Sequence, residues 1–74
     1  MGTTQVSFGD ALRSRRKQLG LNREAVAFAI GRTVVTVGNW ERGRSRPNQD
    51  DLCELARALG CDPTDLVRPE RANV

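Results

Sequence analysis

The stretch TVVTVGNWERG, Thr33 to Gly43, decides how the rest of this 74-residue chain is read. As a helix it has two faces. Val37, Trp40 and Glu41 share one, at i, i+3 and i+4, while Val34, Val35, Gly38, Asn39 and Arg42 share the other. The first set suits packing, and the second is left free to touch something else. Thr33 is an expected N-cap and Gly43 an expected C-terminal stop, so the segment carries its own boundaries. The run Thr33 to Val37 is also rich in β-branched residues, which favours a strand. A strand needs a pairing partner, and the sequence signals none elsewhere.

Outward from that stretch the chain breaks into short amphipathic pieces. Ser7 followed by Asp10 is a weak capping box that opens a helix from Phe8 to Gln18. Its stripe runs through Phe8, Leu12 and Leu19 but also through Arg16, a guanidinium that needs a partner if it faces the core. Gly20 stops this helix. Asn22 caps a second from Arg23 to Ile30, with Val26, Ala27 and Ile30 inward. Phe28 lies off that stripe. Either it packs sideways against a neighbouring element, the preferred reading, or it is an exposed aromatic that something else covers.

Gly31 and Arg32 link the second helix tightly to Thr33, and two short helices joined through a glycine turn form a helix-turn-helix. Glu41 on the inner face of the third helix and Arg16 on the inner face of the first are expected to form a buried ion pair. Asn48 caps a fourth helix, Gln49 to Leu59, whose stripe is Leu52, Leu55, Ala56 and Leu59. Gly60 ends it, and Asp62 with Pro63 begins a one-turn fifth helix ending near Val67. Residues 1–6 and 68–74 are expected to be flexible ends around one domain, residues 7–67.

The charge is unevenly spread. Residues 1–46 carry nine basic and three acidic side chains, and residues 47–74 carry three basic and six acidic. Eleven of the twelve basic residues are arginine, which suits forked recognition of phosphate or carboxylate. A polyanion-facing side and an opposite side are therefore expected. No long apolar run marks a membrane span and no signal-peptide pattern opens the chain, so the cytoplasm is the expected location. Cys53 and Cys61 lack the company a zinc site requires and read as small, partly buried apolar residues. With no histidine or tyrosine and no nucleophile near a base, an enzyme is not expected, nor a metal or cofactor.

Taken together, Arg16, Leu19-Gly20-Leu21-Asn22, Glu24, Val26-Ala27, Ile30-Gly31, Thr33, Val37, Trp40-Glu41-Arg42-Gly43, Pro47 and Leu55 to Gly60 form a specific pattern. It resembles the Cro/CI-like (XRE) family of phage and bacterial helix-turn-helix proteins over about Leu12 to Val67. The resemblance implies an all-α, compact five-helix, lambda-repressor-like domain. It further implies a sequence-specific regulator of transcription, a repressor in most such cases, acting on double-stranded DNA as a homodimer with its third helix in the major groove.

Carried onto this chain, the resemblance implies base-reading roles for Val34, Val35, Gly38 and Asn39. Asn39 suits adenine, and the valines suit thymine methyl groups. It implies phosphate contacts for Arg23, Arg32, Thr33, Thr36, Arg42, Arg44 and Arg46. Arg23 replaces the family's usual glutamine, and Phe28 and Arg32 are departures as well. Two valines at reading positions and a glycine at 38 leave A·T-rich or deformable DNA as one expected target. The alternative is a protein-interaction module on the same fold, an antitoxin or adaptor, using Phe28, Val34 and Val35 as an apolar patch.

Overall fold

The computed structural model of the protein describes residues 7–67. The sequence-based expectations for residues 1–6 and 68–74 lie outside them. Five helices follow in order: α1 (Phe8–Gln18), α2 (Arg23–Ile30), α3 (Val34–Glu41), α4 (Gln49–Leu59) and α5 (Pro63–Val67). Among the described residues there is no strand, so the β-branched run of α3 is helical. Its valines gain more from burying Val37 in a helical core than from an unpaired extended segment.

Each helix is started by its own sequence. Ser7, Asn22, Thr33 and Asn48 stand in extended conformation, and each side chain accepts a hydrogen bond from the backbone N–H three residues on. A cap of this kind is worth about 1 kcal/mol. The ends are as local. Gly31 closes α2 with φ near 71°, which lets Arg32 N–H reach back to Ala27 O at 2.9 Å and turns the chain into α3 within three residues.

The core draws on every helix. Leu12, Val37, Leu55 and Leu59 are fully buried, together with Val26, Ala27, Trp40, Ala56 and Leu66. α3 packs between α1 and α2, α4 supports α2, and α5 bridges α1 and α4. At Gly9 the contact between α1 and α3 is backbone to backbone: a Cβ there would fall 2.8 Å from Trp40 O and closer still to Glu41 O. Two expectations are corrected. Leu19 caps the end of α1 and is 44% exposed, because the helix stops before its stripe can carry the side chain inward. Cys53 is exposed, on the opposite side of α4 from Leu55 and Leu59, and only Cys61 is partly buried. Asp51, in the first turn of α4, is buried as well.

Candidate nucleic-acid interface

α3 is held from beneath by an ionic cluster as well as by Val37 and Trp40. Glu41 has only 1% of its side chain exposed, and Arg16 Nε donates to its Oε2 at 2.7 Å while a second Arg16 nitrogen donates to Oε1 at 3.2 Å. Arg16 also donates to Leu21 O at 2.9 Å, which ties the α1–α2 turn into the same cluster. Arg23 Nε then donates to Glu41 Oε1 at 3.1 Å. Burial alone pushes the Glu41 carboxyl up. The hydrogen bonds and positive charges of Arg16 and Arg23 outweigh it and hold the group below its ordinary 4.5. Among the described residues no buried side-chain polar atom lacks a partner.

The part of Arg23 in this cluster was missed by periodicity, which placed only Arg16 and Glu41 on facing stripes. One signal was available: a carboxylate with two oxygens under a fork from one arginine retains acceptor capacity for a second. Arg23 keeps 38% of its side chain exposed. It lines a groove with Arg16, Asn22, Glu24 and Val34, the first residue of α3.

On the outer face of α3, Val34 and Val35 are 37% and 63% exposed and Asn39 is half-buried. Gly38, expected on this open face, is buried instead. The cover is local: the Arg42 guanidinium lies along the helix, with both terminal nitrogens 3.3 Å from where a Cβ on Gly38 would stand. The same guanidinium reaches Asn39 Oδ1 at 3.4 Å. The hydroxyls of Thr33 and Thr36 are 3.1 Å apart, and Thr33 also accepts from Thr36 N–H.

Arg32 is engaged within the protein. Its Nε and one terminal nitrogen donate to Asp51 Oδ1 at 3.0 and 2.8 Å, fastening the α2–α3 turn to the start of α4. Arg44 and Arg46 are exposed on the loop after α3, and the Arg46 guanidinium lies 6.0 Å from the centroid of the Phe8 ring. Phe28 is 89% exposed. The expected sideways packing is therefore corrected: α3 and α4 meet α2 on the side of Val26 and Ala27, and among the described residues no helix packs closely on the side of Phe28. Among the described residues no helix is long and apolar enough to cross a membrane, and no group of side chains is arranged to hold a metal ion.

Comparisons with known proteins agree with this geometry. A model of the family described as Helix-turn-helix matches residues 12–66. Repressor protein C2 of Salmonella phage P22 is 35% identical over 60 residues, a match covering 81% of this chain and 28% of that protein. The HTH-type transcriptional regulator DicA of Escherichia coli K12 is 38% identical over 67 residues, covering 90% of this chain and 50% of the relative. The chain thus spans half or less of the length of these two curated relatives. A crystal structure of the P22 c2 repressor protein with synthetic operator 9T in the presence of Tl+ superimposes with a TM-score of 0.85 at 34% identity, covering 90% of this chain and all of that one. With its five helices, its capped α2–turn–α3 unit and a family match over most of its length, the chain belongs to the Cro/CI-like (XRE) family of helix-turn-helix proteins.

Proposed function

We propose that the protein is a sequence-specific, double-stranded-DNA-binding regulator of transcription, a repressor, that places α3 in the major groove. The observation that carries this reading is the division of α3. Val37, Trp40 and Glu41 are buried and braced, whereas Val34 and Val35 are exposed and Asn39 is half-buried on the other side of the helix. Val34 and Val35 offer methyl groups to thymine, and Asn39 offers a donor and an acceptor to a base edge. Arg23 beside Val34, Thr33 and Thr36 at the start of α3, and Arg42, Arg44 and Arg46 at its end would meet the flanking phosphates. In this reading Arg32 mainly holds the turn through Asp51, with one terminal nitrogen left for phosphate. The names of the two curated relatives, a repressor and a transcriptional regulator, support the same assignment.

The protein acts in this proposal as a homodimer on DNA, in the cytoplasm of a bacterium or from a phage genome, with no catalytic step and no cofactor. One observation favours an added protein contact: Phe28 is 89% exposed on α2, well beyond what packing within the fold requires. The test is selection of bound duplexes from a random pool at about 150 mM salt, where phosphate contacts alone bind weakly. An enriched palindrome with half-site centres about 10 to 11 base pairs apart is expected. Failure to enrich any sequence would turn the assignment toward the protein-interaction alternative through Phe28, Val34 and Val35.

A further inference from the structure

The contact of Arg42 with Gly38 and Asn39 is not explained by a phosphate-binding role. Arg42 is the C-cap of α3, and its side chain could extend freely into solvent. Instead it folds back by one turn onto Gly38, where the missing side chain leaves a bed for the guanidinium, 3.3 Å from the position a Cβ would take. From there a terminal nitrogen donates to Asn39 Oδ1 at 3.4 Å. A guanidinium has only donors, so it holds the carbonyl end of the amide toward itself and turns the other end away.

We propose that Arg42 is a specificity-setting positioning residue: bedded on Gly38, it fixes the Asn39 amide so that the Nδ2 hydrogens face the base edges. This rests on the proposed DNA-binding reading and sharpens it. An asparagine free to rotate suits adenine, accepting from N6–H and donating to N7. One whose oxygen is held by a cation presents donors, and the matching edge is guanine, with acceptors at both N7 and O6. Arg42 retains its Nε and its other terminal nitrogen for phosphate, so orientation and backbone contact come from one side chain.

The experiment is the same duplex selection run in parallel on the wild-type chain, Asn39→Ala and Arg42→Met. Methionine keeps an unbranched stem above Gly38 and removes every donor. The position whose preference disappears in Asn39→Ala is the one that Asn39 reads. At that position the wild type is expected to enrich guanine, and Arg42→Met to move the preference to adenine by roughly five-fold or more, the discrimination of one bidentate pair. A mere loss of charge would instead weaken binding to all sequences alike and leave the preferred base unchanged. Guanine in both proteins, or adenine in the wild type, overturns the proposal while leaving the DNA-binding reading intact. No enriched sequence from the wild type overturns both. Arg42 is exposed, and unchanged melting of Arg42→Met establishes that the readout concerns recognition and not folding.

Discussion

The two sides of α3 follow opposite rules. Beneath, Val37 and Trp40 are almost wholly buried, and Glu41 satisfies two arginines at once. Above, Val34 and Val35 present methyl groups to water, and Asn39 is held only by a long contact from Arg42. Eight residues thus combine a side that the rest of the molecule over-determines with a side whose cover comes only from Arg42 of the same segment. The difference teaches how so small a domain can hold a helix firmly and still leave one side of it open. Buried groups fix where the helix stands, and exposed groups, which contribute little to stability, are available to a partner.

The strongest way to break the contrast is Glu41→Ala, which leaves two guanidinium groups without their shared carboxylate. Loss of one member of a buried pair costs about 3 to 5 kcal/mol. A domain with only about 5 to 15 kcal/mol in total would fall close to its limit. Urea melts should show it, and an unchanged midpoint would refute the account of α3 as braced from beneath. Gly9→Ala is next. In an open helix alanine gains nearly 1 kcal/mol over glycine, but here the new methyl would enter the Trp40 and Glu41 carbonyls and force α1 from α3. A net loss of about 1 to 3 kcal/mol is expected, and a gain in melting temperature would show that this close approach is not needed.

Acid provides a graded version of the first test. The folded Glu41 carboxyl titrates below 4.5, so its contribution is complete above that pH and is lost as the pH falls through the lower folded value. Between neutral pH and about 5 the contribution should be flat. Below that, the wild type should lose stability more steeply than Glu41→Gln, and parallel curves for the two would exclude the cluster as the cause. The smallest effect on the fold is expected for Val35→Ala on the upper side, within about 0.5 kcal/mol. Its DNA affinity should nevertheless drop by on the order of 1 kcal/mol, the value of the methyl groups removed. Titration of a selected duplex with both proteins measures the separation, and a loss of stability matching the loss of affinity would erase the distinction between the two sides.

Much of this arrangement is legible in the chain before any coordinates. Caps and stops are local chemistry, so Ser7, Asn22, Thr33, Asn48, Gly31 and Gly60 announce the helices from sequence alone. Helical spacing puts Arg16 and Glu41 on inner faces, and two charges so placed have few alternatives to meeting. What spacing does not encode is which distant side chain takes a spare donor or acceptor. Arg32 with Asp51 and Arg23 with Glu41 depend on how α2 settles against α4 and α3. The burial of Gly38 is hidden for another reason: its cover comes from Arg42 folding back along the same helix, a rotamer choice invisible to any period. Phe28 misled because an off-stripe aromatic is cheaper to bury than to expose, unless no element lies on that side. The proposed DNA contacts rest on the family resemblance and the exposed face of α3 together, and not on either alone.

Trp40 has an optical consequence. It is the chain's sole tryptophan, the chain has no tyrosine, and only 3% of Trp40 is exposed. Its emission therefore reports one place, the underside of α3, free of overlap from other fluorophores. Unfolding would shift that emission to the red, whereas a ligand seated on the upper side would leave the indole in its dry surroundings. A single steady-state spectrum can in this way tell occupancy of the helix from loss of the helix.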